Sequence, residues 1–306
     1  MEKISIAIAT YNGEKYLSEL LDSILAQTVL PDEIIVSDDC SKDNTIRILK
    51  DYSKKLPIRV FSNEINLGVN KNFENAVKKC SGDYILICDQ DDVWLTNNIE
   101  EKIRILKKLP KNQPALVTTQ SIVTDKNSRI LQKAYASKDV GDWRFLLTKC
   151  YQGATMAFNR MVLNAMPEHW PEMFDEFPYD YCIYLTALLS GNVYASKEAL
   201  MYYRTHDNNV SLKVSKVKNF LKQIFPTHKL YQDRISVSMM NNIKWLVSAI
   251  DEKMIISERM ACFEAISKCN KNCKINWIRF LKTENIPLSI RFQSLWGSMV
   301  YFLKEL

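Results

Sequence analysis

The amino-acid sequence predicts an α/β fold built on a mostly parallel sheet, and three observations support this. Short apolar runs typical of buried strands alternate with helical periodicity over residues 4–88, an order that favours a parallel, doubly wound sheet. Polar motifs follow the end of each apolar run, where such sheets bind their ligands. The chain of 306 residues is also long enough to bury one large core and to carry a helical extension.

Four strands and three helices are predicted in this first part. The run Ile4–Ala9 is continuously apolar, which suits a strand buried on both faces. Apolar residues then recur at helical spacing up to Leu25, and Pro31 ends that segment. The predicted strands are Ile4–Ala9, Glu33–Ser37, Ile58–Phe61 and Tyr84–Cys88, and the predicted helices are Tyr16–Leu25, Thr45–Tyr52 and Asn70–Lys79.

The pattern becomes mixed after Pro114. A glycine at the end of the last apolar helix, Gly191, is expected to be its C-cap. We expect one α/β domain over residues 1–214, with halves 1–113 and 114–214, and a basic helical region over residues 215–306. The predicted strands of the second half are Ala115–Thr119, Ser121–Thr124, Tyr151–Phe158, Val193–Ala195 and Ala199–Tyr203, and its helices begin at Asp142 or span Arg160–Met166 and Tyr181–Leu189.

Composition indicates a folded protein of a reducing compartment. The first apolar stretch is too short for a signal peptide, and no window has the roughly 18–20 apolar residues of a spanning helix. The eight cysteines are scattered, and the group Cys262, Cys269 and Cys273 matches no zinc module. We therefore expect reduced thiols and a cytoplasmic location, peripheral to the inner face of the cell membrane if the C-terminal region binds lipid.

Positive charge is concentrated at the C-terminal end of the chain. Residues 207–306 contain 16 Lys/Arg against 8 Asp/Glu, whereas the rest contains 25 against 27. Aromatic and aliphatic residues alternate with these cations, so one interpretation is helices lying on an anionic membrane. The other is that these helices pack on the α/β domain or on a second subunit, as in a homodimer. We expect no nucleic-acid partner.

Three carboxylates crowd the segment Asp89–Asp92, directly after the fourth predicted strand. They repel one another, so a fold keeps them together only with a cation or strong donors. Side chains alternate along an extended segment, which directs Asp89 and Asp91 to the same side. Because Mg²⁺ and Mn²⁺ prefer oxygen ligands and diphosphate oxygens, the cluster predicts a site for a metal and a nucleotide-sugar. The alternative is a solvated turn in which Asp92 caps a helix.

Further candidates follow the other strands or lie further along the chain. Asp39 can accept the imide N–H of uracil or thymine, and Asp43 is expected to cap the next helix. Arg204 can clamp a diphosphate, and His206 can bind a metal, although a lone histidine is more often structural. Asp180 is either the N-cap of an apolar helix or a general base.

Seven segments together resemble, in order and spacing, glycosyltransferase family 2, the inverting family with the GT-A fold. DQDDVW followed by YRTHDNN is most similar to its rhamnosyltransferase branch, which implies a dTDP-L-rhamnose donor and a place in bacterial cell-surface polysaccharide synthesis. The alternatives are a UDP-sugar-dependent glucosyl- or galactosyltransferase of the same family and a non-catalytic nucleotide-sugar-binding assembly partner. The segments are TYNGEKYL (10–17), QTxxPDEIIVSDDCSKDNT (27–45), NxxNLG (63–68), GDYILICDQDDVW (82–94), YQGATMAF (151–158), YDYCIYLTALLSG (179–191) and YRTHDNN (203–209).

The resemblance implies a role for each matching residue. Residues 1–113 become the nucleotide-sugar-binding half and 114–214 the acceptor half, with Asp180 as catalytic base. Tyr179 precedes this base where many relatives have a second acid, so Asp175 and Glu176 are rival bases. Asp91 and His206 are the implied ligands of Mn²⁺ or Mg²⁺. The implied substrate-binding residues are Thr10, Tyr11, Asn12, Glu14, Asp39, Asn66, Asp89, Gln90, Trp94 and Arg204.

The implied reaction is a single in-line displacement. A carboxylate takes the proton of an acceptor hydroxyl as that oxygen attacks the anomeric carbon of the donor. The metal and Arg204 stabilise the charge that develops on the leaving diphosphate. The expected acceptor is a glycan or a lipid-linked sugar. A nucleotidyltransferase is disfavoured, because the first loop has one glycine and no phosphate-binding glycine motif.

Overall fold

The computed structural model of the chain describes residues 2–132, 152–167, 178–206, 250 and 255–256. The strands are β1 (Ile4–Thr10), β2 (Glu33–Asp38), β3 (Ile58–Ser62), β4 (Tyr84–Asp89), β5 (Val93–Trp94), β6 (Ala115–Thr124), β7 (Ile130–Gln132), β8 (Met156–Asn159) and β9 (Asn192–Arg204). The helices are α1 (Leu17–Leu25), α2 (Thr45–Tyr52), α3 (Val69–Lys79), α4 (Asn98–Leu106), α5 (Arg160–Ala165) and α6 (Tyr179–Ser190), with a 3₁₀ turn at Gly153–Thr155.

All these strands belong to one sheet with the order β3-β2-β1-β4-β8-β6-β9-β5, and β7 pairs with β6. Strands β1 to β4 are parallel to one another, whereas β8 is antiparallel to both β4 and β6. The carboxyl ends of β1, β2 and β4 therefore lie side by side, with Thr10 opposite Asp38 and Ala9 opposite Asp89. This edge positions the polar motifs that follow each strand.

Helices cover both faces of the sheet. On one face α3 and α6 pack around Phe73, Ile183 and Tyr184, and on the other α1 and α4 pack around Leu20 and Ile99. The alternating side chains of β1 enter both cores, as expected for a strand buried on two sides. None of the helices in the described part of the chain has the length and apolar character that a membrane crossing requires.

The predicted elements of the first half are confirmed to within one or two residues, but helix α4 was missed. Its buried side includes Asn98 and Lys102 as well as Ile99, Ile103 and Leu106. Polar residues at core-facing positions interrupt the apolar periodicity from which a helix is predicted. The two-residue strand β5 and the short, exposed β7 were missed as well.

The second half has longer strands than predicted. Two short strands were expected on either side of Gln120, yet β6 is continuous and its register against β9 shifts at this residue. β9 likewise joins two predicted strands. The predicted strand from Tyr151 is instead the 3₁₀ turn followed by β8, because β4 pairs only with residues from Ala157 onward.

Gly191 occupies the predicted C-cap of α6, for a different reason than expected. Its φ of −164° is extended rather than left-handed. A Cβ atom at this position would lie 1.8 Å from the carbonyl oxygen of Pro114, so the glycine is required by close approach of two backbones.

The predicted helix from Asp142 and most of the basic region lie outside the described residues. Of that region, Ile250 and Ile255 are buried in the core beside α6, and the N–H of Ile256 donates to the carbonyl of Leu189 at 3.1 Å. These contacts tie at least this stretch to the α/β domain. The boundary at residues 214/215 stays a prediction.

Candidate active site

Four loops meet at the carboxyl edge of the parallel strands. Asn12 begins the cross-links between the first two: its N–H donates to Ser41 Oγ at 2.9 Å, and its side-chain oxygen accepts the N–H of Lys42 at 2.8 Å. Glu14 is exposed, and its carboxylate accepts the backbone N–H of Asn44 at 2.9 Å. Asn12 has a φ of 47°, a left-handed conformation that asparagine tolerates.

Asp39 is buried beneath the loop that follows β3. One carboxylate oxygen accepts the N–H of Leu67 at 2.8 Å and the other accepts that of Gly68 at 2.9 Å. Asn66 donates its side-chain N–H to the backbone carbonyl of Asp39 at 3.3 Å. The predicted contact of Asp39 with a pyrimidine would therefore use lone pairs beyond these bonds.

The first loop is also tied to the acidic segment. Gln90 forms two bonds with the backbone of Tyr11, accepting its N–H at 3.0 Å and donating to its carbonyl at 3.1 Å. The Tyr11 side chain stays 48% exposed and open to a ligand. Thr10, in contrast, is buried and donates its hydroxyl to Asp38 at 2.8 Å, so its contribution to the nucleotide pocket would be through its backbone or through Asp38.

The carboxylates of the acidic segment lie in different environments. Asp89 ends β4, and burial together with the charges of Asp91 and Asp180 raises its pKa to about 8. The interaction places Asp89 and Asp180 in the same electrostatic site. Asp92 is fully buried and accepts the backbone N–H of Arg204 at 3.3 Å, which corrects the predicted helix cap. The N-cap of α4 is Asn97.

Asp91 and His206 are brought together from positions 115 residues apart. His206 Nε2 lies 2.7 Å from Asp91 Oδ2, and its ring stacks on Tyr16 with centroids 4.9 Å apart. The two groups are hydrogen-bonded to each other, and both are side-chain types that bind divalent ions. Within the described residues no group of three or more His, Cys, Asp or Glu side chains could hold a metal ion, so the predicted site stays a prediction.

Arg204 is 3% exposed and its guanidinium is engaged inside the protein. It donates to the carbonyl of Asp91 at 3.0 Å and to Ser128 Oγ at 3.1 Å, and it pairs with Glu19 on α1. Its carbon Cζ also lies 4.6 Å from the centre of the Tyr16 ring. The structure therefore makes Arg204 a brace of the Asp91 turn, where the sequence predicted a diphosphate clamp.

Asp180 lies in the first turn of α6 rather than at its N-cap, which is Pro178. Its carboxylate accepts the N–H of Gly153 at 3.1 Å and that of Tyr181 at 2.8 Å. Burial raises its pKa to about 6 despite these donors. A carboxylate that titrates near neutral pH within reach of Asp89 has the properties of a general base. The rivals Asp175 and Glu176 lie outside the described residues.

Trp94 lies in the hydrophobic core on the face of the sheet covered by α1 and α4. It is 3% exposed, packs among α1 and α4, and its indole N–H has no hydrogen-bond partner in the described structure. We assign it a packing role in place of the predicted substrate contact.

Three residues of this region were not identified from the sequence. Tyr16 stacks on both His206 and Arg204, Gly153 donates to the candidate base, and Lys102 lies fully buried. Lys102 donates to the carbonyl of Ala154 at 3.3 Å, and burial lowers its pKa to about 7. Gly153 lies within the segment YQGATMAF and could have been identified only through the family resemblance, and no local pattern identifies the other two.

The sheet is mixed, and polar loops meet at the carboxyl ends of its parallel strands beside an Asp–His pair and a buried aspartate. This arrangement places the chain in the class of GT-A domains. The chain belongs to glycosyl transferase family 2, whose model, described as "Glycosyl transferase family 2", matches residues 5–166.

Curated relatives agree with this assignment. An uncharacterized glycosyltransferase of Rickettsia typhi is 30% identical over 67% of this chain and 64% of its own length. The Escherichia coli protein WfgD, named UDP-Glc:alpha-D-GlcNAc-diphosphoundecaprenol beta-1,3-glucosyltransferase, is 28% identical over 72% of this chain and 83% of its own. An uncharacterized Mycobacterium tuberculosis protein is 26% identical over 68% of this chain, which spans 60% of that relative's length.

Solved structures show the same fold. TarS of Staphylococcus aureus in complex with UDP-GlcNAc matches with a TM-score of 0.60 at 19% identity, over 96% of this chain and 79% of that one. The same protein in complex with UDP matches with a TM-score of 0.56 at 20% identity, over 87% of each chain. At these identities the likeness concerns the fold alone.

Proposed function

We propose that this protein is an inverting, metal-dependent glycosyltransferase that moves a sugar from a pyrimidine nucleoside diphosphate to a lipid-linked acceptor for bacterial cell-surface polysaccharide. The observation that carries the proposal is the convergence of Asp89, the Asp91–His206 pair and Asp180 at one edge of the sheet. Asp89 ends β4 and Asp91 follows it, His206 follows β9, and Asp180 lies in the first turn of α6. Family membership supports the same reaction.

Each of these groups has a place in the reaction. Asp91 and His206 would hold the divalent ion, which when bound neutralises charge on the diphosphate. Asp89 would contact the ribose and the sugar side of the donor. Asp180 would take the proton of the attacking hydroxyl, and its pKa of about 6 leaves it mostly ionised at neutral pH.

Two donor classes are proposed. WfgD is named for UDP-glucose and the TarS complexes contain UDP or UDP-GlcNAc, which favours a uridine diphosphate sugar. The form DQDDVW with YRTHDNN favours dTDP-L-rhamnose. Uracil and thymine differ by one methyl group. The exposed Tyr11 and the loop hydrogen-bonded to Asp39 are the surfaces that would contact that methyl group.

The proposed acceptor is a sugar on a lipid diphosphate, as in the name of WfgD. Such an acceptor lies at a membrane, and the basic region 215–306 is the proposed peripheral contact. Ile250 and Ile255 pack beside α6, which supports the alternative that part of this region packs on the α/β domain. Sedimentation with anionic and neutral vesicles compares the two, since only a membrane contact would bind the anionic vesicles selectively.

A thermal-shift panel tests the donor. Wild-type protein is heated with dTDP-rhamnose, UDP-glucose, UDP-galactose or UDP-GlcNAc, each with Mn²⁺ and with EDTA. A ligand at about 100 times its Kd stabilises by about 2.7 kcal/mol, so the true donor raises Tm clearly. The stabilising sugar is then incubated with a lipid-diphosphate-linked GlcNAc, and the product's anomeric configuration is determined. Stabilisation by no nucleotide, or equal stabilisation in EDTA, contradicts the proposal.

A further inference from the structure

Lys102 on α4 carries its amino group into the core of the α/β domain. The side chain is fully buried, and burial lowers the pKa of the amino group to about 7. A lysine is almost never buried to this degree unless its amino group has a partner. Nζ donates to the backbone carbonyl of Ala154 at 3.3 Å and lies 5.3 Å from the centre of the Trp94 ring. The amino group therefore connects α4 with the 3₁₀ turn at Gly153–Thr155.

An ion pair with Asp92 would be the ordinary explanation of a buried lysine here. Burial lowers the pKa of Lys102, and the charges of Cys88 and Asp92 oppose that change. The carboxylate of Asp92, however, accepts the backbone N–H of Arg204 at 3.3 Å, and Arg204 is the cation whose charge opposes the rise of its pKa. The hydrogen bond of Lys102 goes to a carbonyl of the turn instead. The turn is therefore the element on which this lysine acts.

The same turn orients the candidate base. The backbone N–H of Gly153 donates to the carboxylate of Asp180 at 3.1 Å. Burial raises the pKa of Asp180 to about 6, and the N–H groups of Tyr181 and Gly153 oppose that rise. Gly153 and Ala154 are neighbours in a turn of three residues, so a displacement of one carries the other with it. The hydrogen bond from Gly153 thus depends on the position of the Ala154 carbonyl.

Strand β6 holds the two ends of this turn. The hydroxyl groups of Thr118 and Thr155 lie 2.8 Å apart, and Ser121 donates its hydroxyl to the side-chain oxygen of Gln152 at 2.7 Å. The middle residue, Ala154, is buried, and its carbonyl accepts from the lysine on α4. Loss of the lysine would leave this buried acceptor without that partner. The ends of the turn are therefore fixed by β6, and its middle is fixed by α4.

We propose that Lys102 is a positioning residue for sugar transfer, which holds the 3₁₀ turn through the Ala154 carbonyl so that Gly153 donates to Asp180. The inference rests on the proposed function, because it takes Asp180 as the general base. Helices α4 and α6 cover opposite faces of the sheet. Lys102 therefore acts on the base from the other side of the sheet, without touching the substrate. A base works only within hydrogen-bond reach of the acceptor hydroxyl, so small displacements of the turn reduce the rate.

The test is Lys102→Met, which removes the amino group and keeps a side chain of similar length and volume. An apolar replacement of a buried charge is often neutral for stability, so we expect a folded variant. Transfer to lipid-diphosphate-linked GlcNAc is measured from about pH 5 to pH 8 at saturating substrates. We expect kcat to fall about tenfold or more at neutral pH. The acidic limb should move upward by about half a pH unit or more, because Asp180 loses an N–H that favours its ionised form.

Two comparisons separate positioning from general damage to the fold. UDP binding with Mn²⁺, measured by calorimetry, should stay within about twofold of wild type, since the loops that bind the donor are not altered. Arg160→Met is the matched control, because Arg160 also donates to backbone carbonyls, those of Cys80 and Gly82, away from the 3₁₀ turn. This control should lower Tm and leave the acidic limb unchanged.

A double variant tests whether Lys102 acts through the base. In an Asp180→Asn background, Lys102→Met should cause no further loss of kcat, because no base remains to be oriented. Lys102→Gln keeps an N–H donor and should lose less activity than Lys102→Met. If Lys102→Met does not fold, Lys102→Gln decides by its rate and its acidic limb.

The inference is overturned by a Lys102→Met enzyme with the rate and the acidic limb of wild type. An equal change in Arg160→Met, or a full additional loss of kcat in the double variant, overturns it as well. Failure of the proposed function looks different: wild type then transfers no sugar from any donor, or Asp180→Asn keeps the wild-type rate.

Discussion

The pH dependence of transfer is the sharpest consequence of the site geometry. Burial raises the pKa of Asp180 to about 6, against the lowering effect of the N–H groups of Tyr181 and Gly153. A base must be ionised to accept a proton, so activity is present above this pH and is lost as the pH falls through it. At pH 7 about ten in eleven molecules are ionised, and at pH 5 about one in eleven. We therefore expect kcat to fall about tenfold between pH 7 and pH 5.

An ordinary aspartate predicts something else. With a pKa of about 3.9, more than about 90% of the carboxylate stays ionised at pH 5, and kcat would hardly change. Transfer is measured at saturating donor, acceptor and Mn²⁺, so that kcat reports the bound complex. Nucleotide binding is measured at both pH values, since acidification also weakens metal binding by His206.

Asp180→Asn is the companion variant. It should reduce kcat about 10²- to 10⁴-fold, abolish the acidic limb of the profile and leave nucleotide affinity unchanged. A flat profile for the wild type between pH 5 and pH 7 would refute the burial argument. An acidic limb that persists in Asp180→Asn would assign the titration to another group.

Four further substitutions test other parts of the structure. His206→Ala should weaken Mn²⁺-dependent nucleotide binding by about tenfold or more, with no effect on the affinity measured in EDTA, as followed by calorimetry. Arg204→Met should lower the free energy of unfolding by about 3 kcal/mol in urea titrations, because it removes the hydrogen bonds of the guanidinium to the carbonyl of Asp91 and to Ser128 and leaves the buried carboxylate of Asp92 without its neighbouring cation. Gly191→Ala should cost about 2–4 kcal/mol through the 1.8 Å approach to Pro114. Gly68→Ala meets no atom within 4 Å but has a φ of +82°, so strain alone predicts about 1–2 kcal/mol.

Each of these expectations has a contrary outcome. Metal-dependent binding that survives in His206→Ala would remove that residue from the ligand set. Unchanged stability of Arg204→Met, with weaker nucleotide binding, would restore its predicted part as a diphosphate clamp. If Gly191→Ala proved milder than Gly68→Ala, the backbone approach near Pro114 would be softer than the structure shows.

The parallel half of the fold follows from the sequence because its signals are local. Each strand there is a short apolar run ended by a polar motif, and Ile4–Ala9 needs no knowledge of its neighbours to be identified. Helix α4 does not follow, since Asn98 and Lys102 face the core through partners on β9 and on the 3₁₀ turn. Those partners are distant in sequence, so the local hydrophobic pattern gives no sign that these polar residues face the core.

The site shows the same division. Asp89 and Asp91 could be identified by their place after a strand, and the pairing of Asp91 with His206 was implied by the resemblance alone. The ion pair of Arg204 with Glu19 could not be predicted, because the two residues lie 185 positions apart in the chain, and the diphosphate contact of Arg204 stays a prediction. Whether the guanidinium of Arg204 supports a loop or binds a diphosphate depends on its burial, and the sequence does not show the burial of a single arginine.

The hydrogen bonds between the loops after β1 and β2 have a consequence for engineering. The backbone N–H of Gly13 donates to the hydroxyl of Thr45, and that of Glu14 donates to the carboxylate of Asp43. The carboxylate of Glu14 accepts the backbone N–H of Asn44. With the bonds of Asn12 added, three consecutive residues of the first loop are hydrogen-bonded to the second. A chimera in which only one of the two segments is replaced by that of a relative would lose the hydrogen bonds between them. Attempts to alter donor choice should therefore transplant residues 11–14 and 39–45 as a single cassette.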